Sequence, residues 1–103
     1  GMGLDPHLQK LPQYLRDTFE GKEGEAFFEA AADAVWEFNQ IAIRAAKGHV
    51  AAIKPQFAFY EQLGFNGWRV LEETCAYARE RGLLVIILWS LPLLLLWRCA
   101  NKE

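Results

Sequence analysis

Twice along this chain an amphipathic helical pattern runs into a glycine and is followed at once by a short apolar stretch. Residues 25–47 lead to Gly48 and then His49-Val50-Ala51-Ala52-Ile53; residues 67–81 lead to Gly82 and then Leu83-Leu84-Val85-Ile86. A strand with one face in water alternates apolar and polar side chains. Neither stretch alternates, so both read as strands buried on both faces. Such strands belong to parallel sheets, where a crossover of a dozen residues or more, usually a helix, joins neighbours. Met2-Gly3-Leu4 supplies a first, very short strand that ends in Asp5-Pro6. The predicted strands are therefore about 2–4, 49–54 and 83–87, with helices over about 25–47 and 67–81. Strand, helix, strand, helix, strand is the order of βαβ units with right-handed crossovers, an α/β fold.

The longer helix presents Phe27, Phe28, Ala31, Val35, Phe38, Ile41, Ala42 and Ala45 as one apolar stripe at helical spacing. Glu25 and Glu29 near its start and Arg44 and Lys47 near its end suit the helix dipole. The second helix lines up Trp68, Leu71, Cys75 and Ala78, with Asn66 as its N-cap. Pro55, which has no N–H, is expected to end the pairing of the second strand. Residues 56–63 read as a short helical turn closed by Gly64. Leu8, Leu11, Leu15 and Phe19 recur at helical spacing around Pro12, giving one helix or two short turns.

Composition narrows the function. The chain has 103 residues, the size of one small domain. Lys plus Arg is 11 against 13 Asp plus Glu, a net charge of -2, so a nucleic-acid partner is not expected. A hydrophobic content of 52% with 23% charged residues excludes a disordered chain. Cys75 and Cys99 form no CxxC pair and no metal spacing, and read as free thiols of a reducing compartment. No basic segment followed by an apolar run opens the chain, so no signal peptide is expected, and Gly1 before Met2 reads as a cloning scar.

In parallel α/β sheets, chemistry collects at the C-terminal ends of the strands. The first strand ends at Asp5 and the second at Lys54, which places an opposite-charge pair on one rim. Such a pair can hydrogen-bond a polyhydroxylated ligand such as a ribose. Equally, Asp5 can cap the following turn and Lys54 can be a solvated strand end. From spacing alone both readings stay open.

The segment His49-Val-Ala-Ala-Ile-Lys54-Pro-Gln-Phe-Ala-Phe-Tyr-Glu61 resembles orotidine 5'-phosphate decarboxylase of the longer bacterial subfamily. In that family the second strand ends in a Val-Lys-Pro-Gln-x-Ala-Phe-Phe-Glu-like sequence. Gly3-Leu4-Asp5-Pro6 is similar to the end of the family's first strand. Phe38-Asn39, Leu71-Glu72-Glu73 and Arg81-Gly82-Leu83-Leu84-Val85-Ile86 fit it as well. The resemblance covers about residues 2–86; residues 87–103 do not match. It implies the N-terminal three strands of a (β/α)8 TIM barrel, a carboxy-lyase that turns orotidine 5'-phosphate into uridine 5'-phosphate and CO2 in pyrimidine biosynthesis. It also implies a nucleotide substrate, no metal or organic cofactor, and a cytoplasmic location. Residue by residue, it implies that Asp5 binds the ribose. Lys54 would contact the ribose too and join a chain of alternating charges. That chain continues in the family as Asp-x-Lys-x-x-Asp at the end of strand three, whose lysine protonates the carbanion at C6.

Here the chain departs from the pattern. The last aspartate is Asp33, and no lysine lies between Lys54 and Lys102. From Gly82 to Trp97 there is no charged side chain, but eight leucines and two tryptophans. A frameshift or chimeric gene, a membrane anchor, and extra core packing all compete to explain this tail. As a helix, residues 82–97 reach roughly 24 Å, short of the about 20 residues of a full span, and Pro92 interrupts them. The expectation is thus a truncated decarboxylase piece, inactive alone. The alternatives are a non-catalytic interaction module that self-associates through exposed sheet edges, or a small tail-anchored protein held at a membrane through residues 82–97. His7 and His49 lack partners at metal-ligand spacing. Phe57, Phe59 and Tyr60 read as packing rather than a clamp for a base. Glu72-Glu73 reads as a solvated helix face.

Overall fold

Three parallel strands stand side by side in chain order: β1 (Met2–Leu4), β2 (Ala52–Pro55) and β3 (Leu84–Val85). They belong to a computed structural model that describes residues 2–4, 7–46 and 48–88. Asp5, Lys47 and the expected tail from residue 89 onward lie outside the described residues. Between the strands run a 3-10 turn (Leu8–Lys10), α1 (Gln13–Arg16), α2 (Gly24–Ala46), α3 (Phe57–Glu61) and α4 (Phe65–Glu80). The central strand sets Gly3 against Lys54 on one side and Ile53 against Val85 on the other.

Several boundaries differ from the sequence expectation for identifiable reasons. The second strand begins at Ala52 rather than at residue 49, because the N–H groups of His49 and Val50 turn back to the Ala46 carbonyl at 2.8 and 3.2 Å. Pro55 does not end the pairing. Its carbonyl accepts the Leu88 N–H at 2.8 Å, and Gln56 still bridges to Leu88. A proline lacks a donor but keeps its acceptor, so one rung is lost and the next survives. β3 is shorter than residues 83–87, although the Ile86 N–H reaches the Ile53 carbonyl at 3.0 Å. α4 starts at Phe65 behind Gly64, and Asn66 is not its cap; the Asn66 amide donates instead to Glu25 on α2 at 2.9 Å. Pro12 divides the first helical pattern into the 3-10 turn and α1.

Period-two alternation separates the faces of the sheet. Met2, Ile53 and Val85 pack with Ile43 of α2, Ala78 of α4 and Leu83. The other face carries Gly3, Ala52, Lys54, Leu84, Ile86 and Leu88, with Leu84 62% exposed and Ile86 and Leu88 each 40% exposed. The expectation of strands buried on both faces therefore fails for β3: among the described residues, helices cover one face only.

The buried line of α2 also differs from the expected stripe. It runs through Ala31, Ala32, Val35, Asn39, Ile43 and Ala46, while Ile41 and Ala45 face water. A polar residue sits at its centre because its amide nitrogen is paired, although its buried Oδ1 has no partner among the described residues. The Asn39 amide donates to the Tyr60 hydroxyl on α3 at 3.0 Å and to the Thr74 hydroxyl on α4 at 3.1 Å. All three residues are fully buried. Trp68, expected on the buried stripe of α4, is 56% exposed, and Val70 and Thr74 point inward in its place.

Two glycines fix how α4 meets its neighbours. At its C-terminus the Gly82 N–H bonds to the Arg79 carbonyl and the Leu83 N–H to the Ala78 carbonyl, both at 3.0 Å. With φ of 78° at Gly82 this is a Schellman motif, and it turns the chain directly into β3. Near its N-terminus, a Cβ on Gly67 would stand 1.7 Å from the Tyr60 carbonyl oxygen, so α3 and α4 touch only because no side chain intervenes.

Asn39→Ala would leave two buried hydroxyls without their donor, a loss of about 1–3 kcal/mol. Urea unfolding should show it as a lowered midpoint at unchanged slope. Gly67→Ala should be worse, since backbone rather than a flexible side chain must move; a variant that unfolds like the parent would contradict the packing described.

Candidate functional site

Lys54 occupies the penultimate position of β2, half-buried, on the face away from the helices. Its flanking residues Ile53 and Pro55 point to the helix side and are buried, which alternation requires once Ile53 is in the core. Its register partner on β1 is Gly3, so no side chain of β1 stands beside its stem. Among the described residues the Lys54 side chain makes no ion pair or hydrogen bond. Asp5, the other predicted rim residue, lies outside the described residues, so its place relative to Lys54 stays an expectation.

The segments that leave the ends of β1 and β2 do meet. His7, Leu8 and Gln9 face Gln56, Phe59 and Gln62 across a cleft of about 280 Å³. The His7 ring packs edge-on against Phe59 at 6.5 Å between centroids. Three carboxamides and an imidazole thus border this rim, groups that can both donate and accept hydrogen bonds to a neutral polar ligand. Sequence reasoning missed Gln56 and Gln62 as site residues and noted of His7 only that it lacks partners at metal-ligand spacing. A signal was present: Asp5-Pro6-His7 and Lys54-Pro55-Gln56 repeat a charged residue, a proline and a polar residue at two successive strand ends.

The aromatic residues after Lys54 are engaged in packing. Phe57 meets Trp68 edge-on at 5.2 Å, and Phe59 meets Tyr60 at 5.2 Å. Tyr60 is held by Asn39, as described above. The Phe57 N–H donates to the Leu88 carbonyl at 2.6 Å, which ties the start of α3 to the chain beyond β3. Glu73 is engaged by Arg69 at 3.4 Å, and the same guanidinium reaches Asp33 at 3.2 Å, an exposed link between α4 and α2. Burial pushes the Cys75 thiol up, with Arg79 opposing, so it behaves as a small apolar group. Among the described residues no three His, Cys, Asp or Glu side chains converge on a metal position.

No family model matches the chain. It is 41% identical over 85 residues to an orotidine 5'-phosphate decarboxylase from Rhodopirellula baltica, covering 82% of this chain and 27% of that protein. It is 49% identical over 85 residues to the Corynebacterium efficiens protein of the same name, covering 82% and 26%. A crystal structure of a candidate orotidine 5'-phosphate decarboxylase from Streptomyces avermitilis superposes with a TM-score of 0.58 at 34% identity, covering 84% of this chain and 26% of that one. The similarity is to the N-terminal portion of these proteins, and the chain spans about a quarter of their length.

A half-buried lysine whose side chain has no partner among the described residues contributes little to folding. Lys54→Met should change the unfolding free energy by less than about 0.5 kcal/mol. A loss several times larger in thermal or urea melts would make Lys54 a structural residue rather than one kept for a ligand.

Proposed function

We propose that this chain carries the first three strands of an orotidine 5'-phosphate decarboxylase barrel, and with them the ribose-binding part of its site. The observation that supports this is the register of β1 and β2. Lys54 stands at the C-terminal end of a central parallel strand, with the end of β1 beside it. In this reading Asp5 and Lys54 hydrogen-bond the ribose of a nucleotide, and Lys54 is one cation of an alternating charge chain. No metal or organic cofactor is called for, and the location is cytoplasmic.

Decarboxylation breaks the bond from C6 to the carboxylate, leaves the electron pair on C6, and needs a proton delivered there. The family's Asp-x-Lys-x-x-Asp supplies that proton and the charges around it, and these 103 residues contain no such segment. Loss of one preorganised electrostatic group costs about 10²–10³ in rate, so loss of the donor and both acidic neighbours leaves no useful catalysis. The chain by itself is therefore inactive in this reading. The row Leu84, Ile86 and Leu88, exposed on the open face, favours a second reading as an interaction module that associates through its sheet. Among the described residues no helix is long and apolar enough to cross a membrane.

A chimaera separates family function from present activity. Residues 2–86 placed in the Corynebacterium efficiens relative, in exchange for its matching segment, should sustain turnover of orotidine 5'-phosphate, and Lys54→Ala in that chimaera should abolish it. A folded chimaera without turnover, or one indifferent to Lys54, would sink the assignment. The 103-residue chain alone should show no turnover. Its binding of uridine 5'-phosphate in calorimetry should be no tighter than about millimolar, near -4.1 kcal/mol.

A further inference from the structure

Where α3 ends and α4 begins lies a cleft of about 310 Å³, lined by Phe57, Glu61, Gly64, Phe65 and Trp68. Phe57 and Glu61 are four residues apart on α3, and Phe65 and Trp68 three apart on α4, so each helix turns two of these side chains to one side. The Phe57 and Trp68 rings meet at 5.2 Å with their planes 80° apart, which makes a corner of two aromatic walls. Phe65 adds a third ring and is 92% exposed. Gly64 joins the helices with φ of 66°, and a Cβ there would meet nothing within 4 Å, so the space beside it is open.

The charged part of this lining is one carboxylate. Glu61 is exposed, and among the described residues its side chain makes no ion pair or hydrogen bond. Neighbouring polar groups are committed elsewhere: Asn66 donates to Glu25 at 2.9 Å, and Arg69 reaches Asp33 and Glu73 at 3.2 and 3.4 Å. The face of an aromatic ring carries partial negative charge and attracts a cation placed over it. The N-terminus of α4 brings about half a positive charge to the same place, and the full negative charge of Glu61 outweighs it.

We propose that this cleft binds a small quaternary or alkylated ammonium ion, with its methyl groups against Phe57, Phe65 and Trp68 and its charge balanced by Glu61. A metal ion or a bare ammonium is a poor fit, because rings cannot replace the water that such an ion gives up. Methyl groups spread the charge over an apolar surface, which matches three rings and one carboxylate. The volume stands at the small end of ligand pockets, roughly 300–1,000 Å³, and suits a headgroup the size of choline. None of these residues lines the cleft that His7 and Gln56 border, so the site stands apart from Lys54 and from the decarboxylase reading.

Choline and 3,3-dimethylbutan-1-ol have the same shape, and only choline carries a charge. In NMR titrations with the full chain, the N-methyl protons of choline should move upfield, as protons held over ring faces do, and show Overhauser contacts to the Trp68 indole. The neutral alcohol should bind about tenfold more weakly or less. Glu61→Gln and Phe65→Leu alter exposed side chains and leave the fold intact, and each should weaken choline about fivefold. Trp68→Leu keeps an apolar side chain but removes the ring, and should weaken it about tenfold. Equal binding of choline and the alcohol, or choline binding indifferent to Glu61→Gln, reduces the cleft to an apolar patch and overturns the proposal. An N-methyl signal that stays unmoved through the whole millimolar range overturns it too.

Discussion

β2 is hydrogen-bonded along both edges, and the rest of the molecule takes its position from that. Ile53 must lie in the core between α2 and α4, so Lys54 must emerge on the opposite face. Pro55 turns the chain into α3 while its carbonyl still holds Leu88. A parallel ladder cannot be closed by a tight turn, so every rung requires a helix to be laid across the sheet first. The lysine at the rim is thus placed by contacts distant in sequence, above all those of α2 and α4 with Ile53.

Asn39 does for the helices what β2 does for the strands. Its amide donates to α3 and to α4 alike, by hydrogen bonds between fully buried groups. Apolar packing at this point would hold the helices together without fixing their rotation. A paired amide specifies which turn of α2 faces which turn of α4, because an unpaired hydroxyl in the same place is expensive.

Much of this architecture is legible in the sequence because it rests on local signals. The glycines at 48 and 82, the non-alternating runs after them and the helical periodicities before them give element type and order, and from these the parallel sheet follows. The family resemblance rests on consecutive residues such as Lys54-Pro55-Gln56. What was not legible depends on partners remote along the chain. Asn39 looks like a polar interruption of a stripe until Tyr60 and Thr74 are seen beside it. Trp68 looks like core until α4 is found to turn Val70 and Thr74 inward. Strands that read as buried on both faces belong to a sheet covered by helices on one side, because an apolar run states what a strand can tolerate, not what is present to cover it. Gln56 and Gln62 were passed over because carboxamides carry no charge and no periodicity to mark them.

The Schellman turn at Gly82 has a consequence for which changes of length the chain can absorb. The end of α4 and the start of β3 are separated by a turn with no slack. Removing one residue from α4 therefore rotates everything beyond it by about 100° and shortens it by about 1.5 Å. If the strand compensated by slipping one position, Leu84, Ile86 and Leu88 would trade faces with Val85 and Ile87. Insertions and deletions between Gly64 and Leu88 are consequently intolerable one at a time. The polar, exposed loop of residues 20–23, which precedes α2, is where the chain can vary in length without moving Lys54.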